Sequence, residues 1–75
     1  MTTTRDAIRQ WLGGKLPGFV FGGPQLTKHV RQITGSKAMS ATVTKEIRRM
    51  RYKWHELDYE IVDRGRSLYR LIEVR

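Results

Sequence analysis

The chain contains no cysteine, so a disulfide staple, a thiolate metal site and thiol catalysis are all excluded, and a reducing compartment suits it. Histidine is scarce as well. His29 and His55 lie far apart with no thiol beside either, which removes the usual zinc ligand sets. Long hydrophobic runs are also missing. The longest clean apolar stretch is Phe19-Val20-Phe21, and the opening residues Met1 to Asp6 are followed by nothing resembling a signal sequence. Neither a signal peptide nor a membrane span is expected, and the expected location is the cytoplasm, alongside the nucleoid. Acidic residues are few: seven Asp and Glu face fifteen Lys and Arg, for a net charge of +8. An excess of that size points to a polyanionic partner.

What the chain does hold is enough for one small core. Its 75 residues are 39% hydrophobic and include two Trp, three Tyr and two Phe. A disordered basic tail carries far fewer aromatics, so a folded module is expected. A chain this short buries only about 60% of its unfolded surface and has no room for a second core, so residues 1–75 are read as a single domain.

The charge is concentrated. Residues 28 to 53 hold eight cations (Lys28, Arg31, Lys37, Lys45, Arg48, Arg49, Arg51, Lys53) and one anion, Glu46. The rest of the chain is nearly balanced, with seven cations against six anions. Solubility alone requires no such bias.

Periodicity divides the chain into helices followed by strands. Thr3 or Thr4 is suited to cap a first helix, Asp6 sits against its N-terminal dipole, and Ile8, Trp11, Leu12 and Leu16 recur at helical steps. Gly13-Gly14 weakens its end, and Pro17-Gly18 stops whatever continues. Phe19-Val20-Phe21 then reads as a short extended segment. Pro24 opens a second helix with a stripe of Leu26, Val30 and Ile33, stopped at Gly35. After a short connection, Ser40 is the expected N-cap of a third helix carrying Val43, Ile47, Met50 and Trp54. At about 100° per residue these four fall within an arc of about 60°, and Ala41, Lys45, Arg48, Arg49 and Tyr52 gather on the opposite side. From Leu57 the pattern turns to β. Tyr59 to Val62 and Leu68 to Val74 are rich in branched and aromatic residues, and the intervening Asp63-Arg64-Gly65-Arg66-Ser67 reads as a hairpin loop with Gly65 left-handed and two arginines at its tip. The two tryptophans lie on apolar stripes and are read as core anchors.

Helix, short strand, helix, tight connection, helix and two-stranded hairpin is an order that resembles the winged helix-turn-helix family over residues 4–75. Pro24-Gln-Leu-Thr-Lys-His-Val-Arg-Gln-Ile33 is similar to the family's second helix, Ser40-Ala-Thr-Val-Thr-Lys-Glu-Ile-Arg-Arg-Met-Arg51 to its recognition helix, and the arginine-tipped hairpin to its wing. The connection from Gly35 to Met39 departs from the family's common small-residue, Gly, Val/Leu rhythm. The resemblance implies an α+β fold, a winged helix, that binds double-stranded DNA with its third helix in the major groove.

In that geometry Lys45 and Arg48 are the expected guanine readers, because a guanidinium donates two hydrogen bonds to the O6 and N7 edge. Thr42 and Thr44 are suited to phosphate or to a thymine methyl. Arg49, Tyr52, Ser40, Lys37 and Lys28 are expected on the backbone, while Arg64 and Arg66 enter the minor groove or clamp phosphates. Competing roles are ordinary ones: Arg48 and Arg49 as solvated surface, Tyr52 packed under the hairpin, and Arg51 paired with Glu46 or Asp58.

Catalysis finds no support. Asp58, Glu60 and Asp63 are close in sequence but sit on a short hairpin, and Ser40 and Ser67 have no positioned base, so a non-enzyme without metal or cofactor is expected. The expected role is that of a transcriptional regulator or a DNA-handling factor of a mobile element, acting as a monomer or as a weak dimer formed on DNA. The competing role is an interaction module docking an acidic protein surface.

Overall fold

A computed structural model describes residues 2–35 and 37–75. The fold is α+β: three helices and a three-stranded antiparallel sheet. In chain order the elements are α1 (Thr4–Gly13), β1 (Val20–Gly22), α2 (Gly23–Thr34), α3 (Ser40–Tyr52), β2 (Leu57–Asp63) and β3 (Leu68–Val74).

Thr3 caps α1. Its hydroxyl accepts the Asp6 N–H at 3.1 Å, and the Asp6 carboxylate returns the bond by accepting the Thr3 N–H at 3.4 Å, a capping box that satisfies two N–H groups the first turn leaves without helical partners. Ile8 and Leu12 are buried and Trp11 packs against the core, as their spacing predicts. Leu16 does not extend that stripe. The helix ends at Gly13, Leu16 falls in the following loop, and its side chain is 81% exposed.

The segment after that loop is drawn into the sheet from the side opposite the hairpin. β3 is the central strand, pairing with β1 through Val20↔Arg70 and Phe21↔Tyr69, and with β2 through Tyr59↔Leu71 and Ile61↔Tyr69. Phe21 is buried, joining α1 and α2 to the sheet.

α2 starts one residue before Pro24 and ends where expected, with Gly35 left-handed at φ 70° and its N–H donating to the Arg31 carbonyl at 2.9 Å. Its first N–H, that of Gly23, donates to the Ser67 carbonyl at 2.9 Å, so the base of the hairpin loop is tied to the start of α2.

The N-cap of α3 is Met39. Met39 has the extended backbone of a cap (φ −83°, ψ 151°), makes no side-chain cap bond, and its carbonyl accepts the Val43 N–H at 3.1 Å, while Ser40 already lies inside the helix. Val43, Ile47 and Met50 are fully buried against Leu57, Tyr59, Tyr69 and Leu71 of the sheet and the apolar sides of α1 and α2.

The hairpin turns differently from its expected form. Gly65 is not left-handed; Ser67 is, at φ 52°. Two bonds account for the shift. Asp63 Oδ1 accepts the Arg66 N–H at 3.2 Å and the Arg64 carbonyl accepts the Ser67 N–H at 3.3 Å, so the tight turn closes over Gly65 and the reversal of hand falls at the junction with β3. No helix among the described residues is long and apolar enough to cross a membrane.

Candidate nucleic-acid interface

The buried stripe of α3 decides what its other side shows. With Val43, Ile47 and Met50 turned inward, the residues Ser40, Ala41, Thr42, Lys45, Arg48, Arg49 and Tyr52 are exposed and Thr44 is half-buried. Lys28 on α2, Lys37 in the connection, and Arg64 and Arg66 in the hairpin loop are exposed too.

Charge pairing separates this surface from the rest. Among the described residues the ion-paired cations are Arg5 and Arg9, both on Glu56; Arg51 on Asp58; Arg66 on Asp63; Arg70 on Glu60; and Arg75 on Glu73. Of those left without an ion pair, Lys28, Arg31, Lys37, Lys45, Arg48, Arg49 and Lys53 all fall within residues 28 to 53, and the others are Lys15 and Arg64. Arg31 is spent on structure: its Nε–H donates to the Ala38 carbonyl at 2.6 Å and braces the connection before α3. The contact between Arg66 and Asp63 is long, at 3.9 Å, and its guanidinium is largely solvated, so the pair holds it weakly.

Between α3 and the hairpin runs a groove of about 440 Å³, lined from the helix by Thr44, Arg48, Arg51 and Tyr52, and from the sheet and loop by Tyr59, Ile61, Arg64, Ser67 and Tyr69. Of the residues expected to contact a ligand, this groove brings together Thr44, Arg48, Tyr52 and Arg64. Lys28, Lys37, Ser40, Thr42, Lys45, Arg49 and Arg66 lie outside it.

Arg51, Tyr59, Ile61, Ser67 and Tyr69 are the lining residues that the helical pattern alone does not single out. The alternation of the strands does contain the signal: Tyr59 and Ile61 share one face of β2 and pair with Leu71 and Tyr69 of β3, which turns both tyrosines toward α3. Tyr59 and Tyr69 meet edge-to-face with centroids 5.2 Å apart. Burial pushes the Tyr59 phenol above its ordinary pKa, against the pull of the neighbouring Arg51 charge, so it is neutral at physiological pH.

Arg51 pairs with Asp58, one of its two expected partners. Its Nε–H donates to Asp58 Oδ1 at 2.9 Å, and the same oxygen accepts the Tyr59 N–H at 2.9 Å. The guanidinium carbon stands 5.1 Å from the centroid of the Tyr52 ring and 4.9 Å from that of Tyr59. Cation–π contact with both rings and one carboxylate bond fix this side chain before any ligand arrives.

Elsewhere, His29 stacks on Trp11 at 4.4 Å, an aromatic contact on the far side of the core, and among the described residues no group of three His, Asp or Glu side chains is placed to hold a metal ion. Compared with models of protein families, with curated proteins and with solved structures, the chain matches none.

Proposed function

We propose that this protein is a double-stranded DNA-binding module of the winged helix kind, with α3 lying in the major groove and the hairpin loop contacting the backbone or the minor groove alongside. The observation that carries the proposal is the coincidence of burial and charge on α3. Val43, Ile47 and Met50 are fully buried, and Lys45, Arg48 and Arg49 stand opposite them, exposed and without ion pairs among the described residues. A cation with no carboxylate partner is one that a phosphate or a guanine edge can take at little cost. The three helices, and the pairing of β1 with the strand that returns from the hairpin, are compatible with the winged arrangement.

In this scheme Lys45 and Arg48 read base edges, Thr42 and Thr44 touch phosphate or a thymine methyl, and Lys28, Lys37, Ser40 and Arg49 set the register on the backbone. Arg64 and Arg66 reach from the loop. A regulator of transcription or a DNA-handling factor of a mobile element fits a module of this size.

The test is a salt titration of duplex binding. The logarithm of the association constant should fall linearly with the logarithm of salt concentration, with a slope of about −0.9 per phosphate neutralised. Arg48→Ala should relax preference at one base position, at about 1 to 3 kcal/mol of discrimination, and Lys28→Ala should weaken all sequences alike. Undetectable or salt-insensitive duplex binding would overturn the proposal and turn attention to an acidic protein as the partner of the same face.

A further inference from the structure

The groove between α3 and the hairpin has a composition that duplex binding by an outward helix face does not require. Its three cations, Arg48, Arg51 and Arg64, are accompanied by three tyrosines, Thr44, Ser67 and Ile61, and its lining includes no carboxylate. A duplex, whose major groove alone is about 12 Å across, bridges the rims of such a cleft without entering it. Clefts of about 300 to 1,000 Å³ hold small molecules or single residues of a polymer.

We infer that the groove seats one unpaired nucleotide of a strand that leaves the duplex, so that the protein binds tighter where double-stranded DNA meets a single-stranded tail; the inference rests on the duplex-binding proposal above. Single-stranded DNA is bound by joining cations that follow the phosphates to aromatic rings that stack on bases, and both are present here on facing walls. Tyr52 is 64% exposed, a large ring that the core does not cover, standing at the mouth of the groove. Tyr59 and Tyr69 form the floor, only 4% and 9% exposed.

Arg48 and Arg64, which have no ion pair among the described residues, supply the groove's free positive charge for a phosphate, and Arg51 adds a pre-oriented donor beside them. Its Nε is occupied by Asp58, one terminal nitrogen donates to the Tyr52 hydroxyl at 3.4 Å, and its faces lie near Tyr52 and Tyr59, so the guanidinium is held in one orientation and little rotamer entropy remains to be lost on binding. Arg48 belongs both to the groove and to the exposed face of α3. A strand leaving a duplex held on that face therefore meets the groove directly, which favours a nucleotide still attached to DNA over a free one.

The experiment compares, at one salt concentration, the affinity of the full chain for a blunt duplex, for the same duplex with a short 3′ or 5′ tail, and for the tail strand alone. One of the tailed duplexes should bind about tenfold tighter than the blunt one, the size expected of a single stacked base. Tyr52→Leu should bring the ratio of tailed to blunt affinity close to one, and Arg51→Lys, which keeps the charge and loses the fork, should lower it as well. The ratio is the readout, so a general weakening of binding does not imitate the effect.

Equal affinity for blunt and tailed duplexes, or a ratio unmoved by Tyr52→Leu, would overturn this inference and leave the duplex proposal standing. Failure to bind any duplex would overturn both. A free mononucleotide that raises the melting temperature, with no advantage from either tail, would assign the groove to a soluble nucleotide and overturn the inference too.

Discussion

The two sides of this small core handle charge in opposite ways. On the α1 side, Arg5 and Arg9 converge on Glu56: Arg5 donates two hydrogen bonds to that carboxylate at 2.8 and 2.6 Å, and its guanidinium lies 4.2 Å from the centroid of the Trp54 ring. Each charge there has a partner, and the cluster joins the start of the chain to the turn after α3. On the α3 side, Lys45, Arg48 and Arg49 stand in solvent without ion pairs among the described residues, and only Arg51 is anchored. The first arrangement is what structure alone needs. The second sets like charges close together on one helix at some cost in repulsion, and becomes favourable when something anionic covers it.

The sharpest test of that contrast substitutes two neighbours on α3. Ile47→Ala removes a fully buried side chain from the centre of the core and should destabilise the fold by about 2 to 5 kcal/mol, measured by urea denaturation. Arg48→Ala, one position on, should change stability by no more than about 0.5 kcal/mol while impairing duplex binding. If both variants lost stability equally, the exposed face would be structural and the contrast between the two sides would fail.

Glu56→Gln tests the other side with a smaller effect and a definite pH dependence. The hydrogen bonds from Arg5 hold the Glu56 carboxyl below its ordinary pKa, against a smaller opposing push from desolvation. A depressed folded-state value means that the stabilisation is fully present above the unfolded pKa of about 4.3 and is lost as pH falls through the lower folded value. The melting temperature of the wild type should therefore exceed that of Glu56→Gln at neutral pH, and the gap should close in acid. A gap that persisted in strong acid would assign the role of Glu56 to packing.

The helices and strands were legible in the sequence because their signals are local. The spacing of Val43, Ile47 and Met50, the stop at Gly35 and the change to branched residues after Leu57 each depend on neighbours within one or two turns. The exposed face of α3 follows from the same spacing, by subtraction. The groove was not legible, because it depends on which face of β2 and β3 meets α3, and that is set by pairing across the sheet. Arg51 illustrates the point: on a helical projection it lies near the apolar stripe and looks structural, and only the approach of Asp58, Tyr59 and Tyr52 makes it a fixed donor at the edge of a cleft. Leu16 and Ser40 show the reverse error. Periodicity carried a helix past Gly13-Gly14, where backbone entropy ends it, and a preference for serine at caps was overridden by the extended backbone of Met39.

The hairpin loop offers the finest test, since its left-handed residue is a serine with a glycine two positions before it. Ser67 holds φ 52°, where a side chain is disfavoured, and its carbonyl accepts the Gly23 N–H that secures the loop to α2. Ser67→Gly relieves the left-handed strain but adds backbone freedom to the unfolded chain, so a net gain of about 0.5 to 1 kcal/mol is expected. Gly65→Ala should be close to neutral or slightly stabilising. Its φ is not positive, and an added Cβ would meet only Asp63 Oδ1, at an ordinary 3.5 Å. If the left-handed position were instead Gly65, as the sequence pattern suggests, the order would invert, with Gly65→Ala costly and Ser67→Gly harmful. Paired melting curves of the two variants decide between the two loop geometries, and with them whether Ser67 and Arg64 stand where the groove requires.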